Sequence, residues 1–120
     1  MKIALLGGTG DFGEGLALRW AASNEIIIGS RELEKAEKAA KRYKGMLNQR
    51  DVYSKIRAFE NFEAAKRSEV VVFSIPYEYA IPIARQISGA FDRQIVISPL
   101  VPMKKNKEGK YEYSPSIHGC

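Results

Sequence analysis

The chain has 120 residues, of which 45% are hydrophobic and 28% charged, and its formal net charge is +5. This is the length and composition of one globular domain. The sequence contains neither the apolar run of roughly 18 residues that a membrane span needs nor a signal peptide. We therefore expect a cytoplasmic protein without a membrane partner. Its one histidine, His118, and its one cysteine, Cys120, exclude an intrachain disulfide and a metal centre. The basic residues between Arg31 and Arg57 alternate with acidic ones, which predicts a solvated helix surface rather than a nucleic-acid site.

The first half of the chain predicts two strands, each followed by a helix. The apolar run KIALL at 2–6 ends at a glycine, which is typical of a buried parallel strand, and EIIIG at 25–29 repeats the pattern. Apolar residues at fourfold spacing predict a helix over 11–22. We expect a second helix that Ser30 caps at its start and Gly45 closes.

The second half continues this alternation. The β-branched run EVVVFSI is the strongest strand pattern in the chain, and Pro76 ends it. Pro82 is compatible with the following helix if it lies in the first turn, where its missing N–H has no helical partner. Strands and helices in alternation predict an α/β fold, a doubly wound, mostly parallel sheet with helices on both faces and strand order 3-2-1-4-5. The remaining predicted elements are strands at 55–59, 69–75 and 94–98, helices at 61–67 and 79–88, and a loop or frayed hairpin after Pro102.

The turn between the first strand and the first helix has the pattern G-x-G-x-x-G in the context that such a fingerprint requires. Gly8 would permit the tight turn, Gly10 would let a pyrophosphate approach the backbone, and Gly13 would let helix and strand pack closely. The pyrophosphate would then meet the positive end of the helix. The alternatives are a turn that only needs small residues and, for Thr9, a helix cap in place of a phosphate contact. The predicted pyrophosphate site is Gly8, Thr9, Gly10, Asp11, Phe12 and Gly13.

The end of the second strand predicts which dinucleotide binds. A protein that prefers NAD usually has an acidic residue there for the ribose hydroxyls, whereas this chain has Gly29-Ser30-Arg31. An arginine in the first turn of a helix is electrostatically unfavourable, and a bound phosphate dianion would relieve that conflict. The Ser30 hydroxyl, the Arg31 guanidinium and Lys35 one turn later could clamp a 2′-phosphate; an N-cap with two solvated bases is the alternative. We therefore predict NADP rather than NAD.

Four segments together resemble a known family. In chain order, they are GGTGDFGEGLALRW, IIIGSRELEKA, VVFSIPYEYA and IVISPLVP, and they are similar to the NADPH-dependent reductases of the deazaflavin coenzyme F420 over nearly the whole chain up to Pro102. The resemblance implies reversible hydride transfer between the reduced deazaflavin and NADP, with the nicotinamide stacked near the deazaflavin ring in a cleft. Because the two cofactors carry that chemistry and the protein aligns them, we expect no catalytic side chain.

The resemblance also implies contacts at particular positions. Ile75 and Pro76 would flank the nucleotide at the end of the fourth strand, and residues 98–101 would line the deazaflavin side, at the carboxyl ends of strands where open α/β sheets bind ligands. Apart from the resemblance, the prolines are equally explained as strand terminators, and Ser74 and Ser98 as partners of backbone groups. The implied NADP contacts are Thr9, Ser30, Arg31 and Lys35, and the further cofactor-binding positions are Ser74, Ile75, Pro76, Ser98, Pro99, Leu100 and Val101.

Chains of this family continue well past the length of this one into a helical second domain that helps to close the deazaflavin cleft and supports dimerisation. We therefore expect residues 1–102 to form the dinucleotide-binding domain and residues 103–120 to be a loop or the start of a missing segment. A truncated chain would keep the NADP half of the site, turn over weakly or not at all, and expose apolar surface that promotes association. For the full-length form, the resemblance implies a homodimer.

Other functions remain open at this stage. The glycine turn also resembles that of extended short-chain dehydrogenases and sugar-nucleotide epimerases, but these need a Tyr and a Lys four residues apart, and none of the 6 tyrosines has that partner. A module that senses NADP without catalysis would fit the same residues. A relative that reduces a metal or a flavin is a further alternative, since a fold does not determine its substrate.

Overall fold

The computed structural model describes residues 1–75, 77–98, 103–105 and 111–113. The main strands are β1 (Lys2–Leu6), β2 (Glu25–Ser30), β3 (Lys55–Glu60), β4 (Val70–Phe73) and β5 (Ile95–Ile97), and the helices are α1 (Asp11–Trp20), α2 (Leu33–Gln49), α3 (Asn61–Lys66) and α4 (Tyr77–Gln86), followed by one 3₁₀ turn at Ser88–Ala90. The five strands are parallel and form one sheet in the order β3-β2-β1-β4-β5. This confirms the predicted α/β fold and its strand order.

The central position of β1 brings the turns after several strands to one edge of the sheet. Leu6 at the end of β1 pairs with Gly29 of β2 on one side and with Phe73 of β4 on the other. Parallel strands that are covered on both faces need apolar side chains in both directions, which is why β1, β2 and β4 are almost continuously apolar. Because the strands share one direction, the segments that follow β1, β2, β3 and β4 all begin along the carboxyl edge.

Two apolar cores lie on opposite faces of the sheet, because successive side chains of a strand point to opposite sides. On one face, Leu5, Ile26 and Ile28 pack with buried residues of α1 and α2. On the other face, Leu6 and Ile27 pack with α3 and α4. Burial of each large aliphatic side chain stabilises the fold by ~1.5–3 kcal/mol. This packing holds the carboxyl edge, and the turns along it, in a defined position.

Helix α2 differs from the sequence prediction at both ends. Ser30 is not its N-cap: it is the last residue of β2, paired with β3, and the cap is Glu32, whose side chain makes no capping bond. Gly45 does not end the helix, because the buried side chains of Tyr43 and Leu47 keep it packed against the sheet for one further turn. Tertiary packing therefore outweighs the roughly 1 kcal/mol that a glycine costs inside a helix.

Helix α4 begins earlier than predicted and therefore holds its proline at a different position. It starts at Tyr77, so Pro82 lies inside the helix and not in the first turn. The missing N–H leaves the carbonyl of Glu78 without its helical partner. Because Glu78 and Pro82 are both exposed, water can bond that carbonyl and the helix continues.

Two short strands, β6 (Met103–Lys105) and β7 (Tyr111–Tyr113), pair in antiparallel fashion in the region predicted as a loop or frayed hairpin. The boundary at residue 102 between a binding domain and a following segment stays a prediction. Within the described residues, no helix has the length and apolar character needed to cross a membrane. In the same residues, no three His, Cys, Asp or Glu side chains group together in a way that could hold a metal ion.

Candidate functional site

The glycine turn after β1 is shaped by contacts that leave little room for side chains. Gly7 has a φ of 69°, a conformation that favours glycine, and its N–H and that of Gly8 both donate to the carbonyl of Gly29, at 2.9 and 3.2 Å. A Cβ at Gly13 would lie 2.6 Å from the Cα of Gly8, so α1 packs directly on the turn. A Cβ at Gly10 would meet nothing within 4 Å. The turn is thus closed towards the core and open at Gly10, where a ligand can approach the backbone.

The start of α1 adds unpaired N–H groups to this opening. The first hydrogen bond of the helix runs from the Glu14 N–H to the Gly10 carbonyl at 2.9 Å, so the N–H groups of residues 11–13 have no partner within the helix. Gly10 is the N-cap, and no side chain in the described part of the chain caps the helix. The capping role that the sequence left open for Thr9 is therefore not observed, and Thr9 lines the neighbouring cleft instead.

A cleft of about 290 Å³ lies beside the turn, along the carboxyl edge of the sheet. Ile75, just after β4, lines this cleft, and a Cβ at Gly7 would overlap its side chain. The Ser74 hydroxyl donates to the Leu6 carbonyl at 2.7 Å and so ties β4 to β1, the backbone role that the sequence left open for this residue. The predicted site residues that line the cleft are Thr9, Gly10, Ser30, Arg31, Lys35, Ser74 and Ile75.

Two cations and one carboxylate surround the cleft near the end of β2. The Ser30 Oγ accepts a hydrogen bond from the Glu32 N–H at 3.3 Å, which leaves its hydroxyl proton free to donate to a ligand. The Arg31 side chain is exposed, with its Cζ 5.8 Å from the centroid of the Tyr79 ring. The Lys35 Nζ lies 3.7 Å from Glu32 Oε1, and because both side chains are exposed this pair contributes only ~0–1 kcal/mol. The arrangement can hold a phosphate between a hydroxyl, a guanidinium and an ammonium group.

Sequence reasoning missed some residues of the cleft, and Asn61 is the most informative of them. Its side chain is only 7% exposed, and its Oδ1 is buried without a hydrogen-bond partner among the described residues. Buried polar atoms without a partner are costly and rare, so a ligand group in the cleft would be a natural partner for this amide. Asn61 directly follows the carboxyl end of β3, which is the signal that could have identified it. The other missed residues are Gly7, Glu32, Tyr79 and Ile83.

Other predicted positions do not contribute side chains to the cleft. Gly8 and Gly13 are buried beneath the turn, where they shape the backbone. Asp11 and Phe12 are exposed at the start of α1, and Ser98 is exposed after β5; none of the three lines the cleft. The predicted positions Pro76, Pro99, Leu100 and Val101 lie outside the described residues.

The parallel sheet, the glycine turn after β1 and the cleft at the carboxyl edge together define the Rossmann class of α/β domains. A solved structure from Arthrobacter sp. FB24, provisionally named as an F420-dependent NADP reductase, superimposes on the chain with a TM-score of 0.71 and 20% identity. The superposition covers 96% of this chain and 51% of that chain. This similarity shows the fold.

The family follows from the sequence comparison. Residues 2–102 match the model of the family described as NADP oxidoreductase, coenzyme F420-dependent, and the chain belongs to this family, which confirms the resemblance. Two curated proteins named F420-dependent NADP reductase are 52% identical over 103 residues, from Methanocaldococcus jannaschii, and 40% identical over 104 residues, from Methanothermobacter marburgensis. Both alignments cover 86% of this chain and 46% of the relative, so the chain spans about half the length of the curated relatives it matches.

Proposed function

We propose that this chain is the NADP-binding half of an oxidoreductase that transfers a hydride between NADP(H) and coenzyme F420. The observation that carries the proposal is the composition of the cleft: the open backbone at Gly10 and the cations Arg31 and Lys35 border one space. That space lies at the carboxyl edge of a parallel sheet, the position at which such folds bind dinucleotides. Membership of the family supports the identity of both cofactors.

The glycine turn is suited to the pyrophosphate. The N–H groups of residues 11–13 have no helical partner and lie at the positive end of α1, so they would donate to phosphate oxygens. With no Cβ at Gly10, the phosphates can come close to the backbone. The Thr9 hydroxyl borders the same opening and would add a donor.

The residues after β2 are suited to the 2′-phosphate of NADP. Arg31 precedes the N-cap of α2, so it lies outside the first helical turn in which the sequence placed it but still beside the positive end of the helix. A phosphate dianion would offset the resulting repulsion, with Arg31 supplying a directional fork and Lys35 a point charge. NAD carries a hydroxyl at this position and would offer neither cation a phosphate to bind. The cleft should therefore prefer NADP.

Ile75, which lines the same cleft just after β4, is suited to a contact with the nucleotide. When bound, the two cofactors supply the redox chemistry: the reduced deazaflavin gives a hydride to NADP⁺ and releases one proton. The contribution of the protein is to align the two rings, which needs no side-chain acid or base. Contacts of the deazaflavin with Ser98, Pro99, Leu100 and Val101, a nucleotide contact of Pro76, a cytoplasmic location and a homodimer of the longer chain stay predictions.

Calorimetric titration of the 120-residue chain with NADP and with NAD tests the proposal. One or two charge-assisted contacts to the 2′-phosphate, at about 1.5–3 kcal/mol each, would make the affinity for NADP at least about tenfold higher than that for NAD. Arg31→Ala should remove most of this difference by weakening the binding of NADP and leaving that of NAD unchanged.

Lys38→Ala is the matched control for this titration. It removes one positive charge from an exposed position of α2 whose ion pair, with Glu34, lies outside the cleft. We expect it to leave the ratio of the two affinities unchanged. Equal affinities of the wild-type chain for NADP and NAD would contradict the phosphate clamp, and the absence of any binding would contradict the proposed function.

A further inference from the structure

Tyr43 is a buried residue of α2 that contacts the glycine turn from the core. Its side chain is fully buried in the same core as Leu5 and Ile28. Its hydroxyl donates to the Gly8 carbonyl at 2.6 Å. Because these residues are far apart in the sequence, the bond joins the middle of α2 to the turn that follows β1. Packing of the aromatic ring does not require this hydroxyl, so its bond to the turn points to a role beyond filling the core.

The Tyr43 bond is one of several contacts that hold the Gly8 peptide. The Gly8 N–H donates to the carbonyls of Leu5 and Gly29 at 3.1 and 3.2 Å, and α1 packs against Gly8 at Gly13. With its oxygen bonded to Tyr43 in the core, the Gly8 carbonyl is turned away from the cleft. A carbonyl oxygen that faced the cleft would set a partial negative charge beside a bound anion. The Tyr43 bond therefore favours the conformation in which the Gly8 carbonyl points away from the ligand and leaves the anion to the N–H groups at the start of α1.

The surroundings of Tyr43 keep it a hydrogen-bond donor. Burial raises the pKa of its phenol above the ordinary value of 10.0, and the neighbouring Arg42 acts in the opposite direction. The Arg42 guanidinium lies 5.3 Å from the centroid of the Tyr43 ring and 3.3 Å from Glu14 Oε2 of α1. Helix α2 is thus connected to α1 by an exposed ion pair and to the glycine turn by a phenol that is protonated at neutral pH.

We propose that Tyr43 is a positioning residue for the pyrophosphate of the bound dinucleotide, because its hydroxyl holds the Gly8 carbonyl in the core and away from the phosphates, which the N–H groups at the start of α1 would bind. This inference rests on the proposed function and adds to it a residue that does not touch the ligand. The inference also assigns different roles to two residues around the cleft. Tyr43 acts on the pyrophosphate turn, whereas Arg31 acts on the 2′-phosphate.

Titration of Tyr43→Phe with three ligands tests this role. Phenylalanine keeps the ring and its packing and removes only the hydroxyl. We expect the affinities for NADP and for NAD to fall by the same factor, about three- to tenfold, because both ligands carry the pyrophosphate. Adenosine 2′-monophosphate has the 2′-phosphate but no pyrophosphate, and its affinity should stay within about twofold of the wild-type value. Arg31→Ala should give the opposite pattern, with weaker binding of NADP and adenosine 2′-monophosphate and unchanged binding of NAD.

The control variant is Leu47→Val, which trims the same buried face of α2 one turn further along without a polar contact to the glycine turn. It should leave all three affinities unchanged. In the wild-type protein, the ring resonances of Tyr43 should shift when NADP binds and stay in place with adenosine 2′-monophosphate, a measurement that does not depend on how the variant folds.

The outcomes separate this inference from the proposed function. Equal losses for all three ligands in Tyr43→Phe, no loss for any of them, or Tyr43 resonances that respond alike to NADP and adenosine 2′-monophosphate would overturn the positioning role and leave the proposed function standing. A wild-type chain that binds neither dinucleotide would overturn both.

Discussion

Ser30 shows how one side chain can serve both the fold and the cleft. The sequence predicted it as a helix cap and phosphate ligand, whereas it ends β2, and its Oγ accepts the Glu32 N–H at the entry to α2. Pairing with β3 buries Ser30, so this residue ends a strand and does not cap the helix. Its hydroxyl proton stays available to a phosphate. A local motif therefore singled out a residue that lines the cleft, but only the neighbouring strand determined its conformation.

At the same scale, the Tyr43 phenol predicts how stability depends on pH. Burial raises its pKa in the folded state above 10.0, so the unfolded chain loses this proton at a lower pH than the folded protein does. The folded state binds more protons in that range, and the contribution to stability is fully present below the unfolded-state pKa and is lost as the pH rises through the folded-state pKa. The free energy of unfolding of the wild-type chain should therefore fall above about pH 10.

Urea unfolding of the wild type and of Tyr43→Phe over about pH 8 to 11 checks this expectation. The variant lacks only the Tyr43 phenol, so its own pH dependence measures what the other tyrosines and the lysines contribute to the change in unfolding free energy. The stability difference between the two proteins should shrink as the pH rises. A difference that stays constant over this range would contradict a raised folded-state pKa.

Among the elements, α2 and the segment just before it hold most of the residues proposed to bind or position the dinucleotide. Arg31 and Lys35 lie at its start beside the cleft, and Tyr43 contacts the glycine turn from its middle. The periodicity of apolar residues located this helix, but its ends depended on partners distant in the sequence. Packing of Leu47 extends the helix beyond Gly45, and the chain leaves it only near Asp51, where φ is 57°. Helix ends are therefore the part of an element that local patterns determine least.

The continuation of α2 through Gly45 predicts a stabilising substitution. A Cβ at this position would meet nothing within 4 Å. Gly45→Ala should therefore raise the free energy of unfolding by about 0.5–1 kcal/mol, because alanine loses less backbone entropy in a helix. Gly29→Ala is the contrasting variant: its Cβ would lie 2.8 Å from Asn61 Oδ1 and 2.9 Å from Leu6 Cδ2, so it should destabilise the protein. Urea unfolding measures both, and a loss of stability in Gly45→Ala would contradict a continuous helix.

Across the whole molecule, the two sides of the proposed site differ in the burial of their described residues. The cleft for the dinucleotide is bounded by the turns after β1, β2, β3 and β4. At the edge of the sheet, by contrast, β5 exposes Ile95, Val96 and Ile97, and Ser98 beyond it is exposed as well. Among the described residues, the strand that leads to the positions implied for the deazaflavin is thus exposed. Precise alignment of two rings needs a closed site, since small misplacements reduce hydride transfer strongly.

This asymmetry predicts how activity depends on chain length. A chain extended by the part that its relatives have in addition should reduce NADP with reduced F420, and the 120-residue chain should turn over at least about tenfold more slowly. The absorbance of the deazaflavin follows the reaction. In the extended chain, Arg31→Ala should raise the KM for NADP more than it lowers kcat, because the 2′-phosphate contact is made in both the ground state and the transition state. An extended chain that binds both cofactors but transfers no hydride would refute the proposed reaction.

The sequence by itself determined the alternation of strands and helices, the glycine turn and the cationic residues after β2, because apolar periodicity, glycine spacing and charge are local properties of the chain. The order of the strands followed from the order that this class of fold adopts. Only the tertiary structure brought Asn61 into the cleft, bonded Tyr43 to the Gly8 carbonyl, joined Ser74 to Leu6 and extended α2 past Gly45. The physical reason is that these features depend on contacts between residues far apart in the sequence, and on which buried polar atoms find a partner. Such contacts exist only once both faces of the sheet are packed.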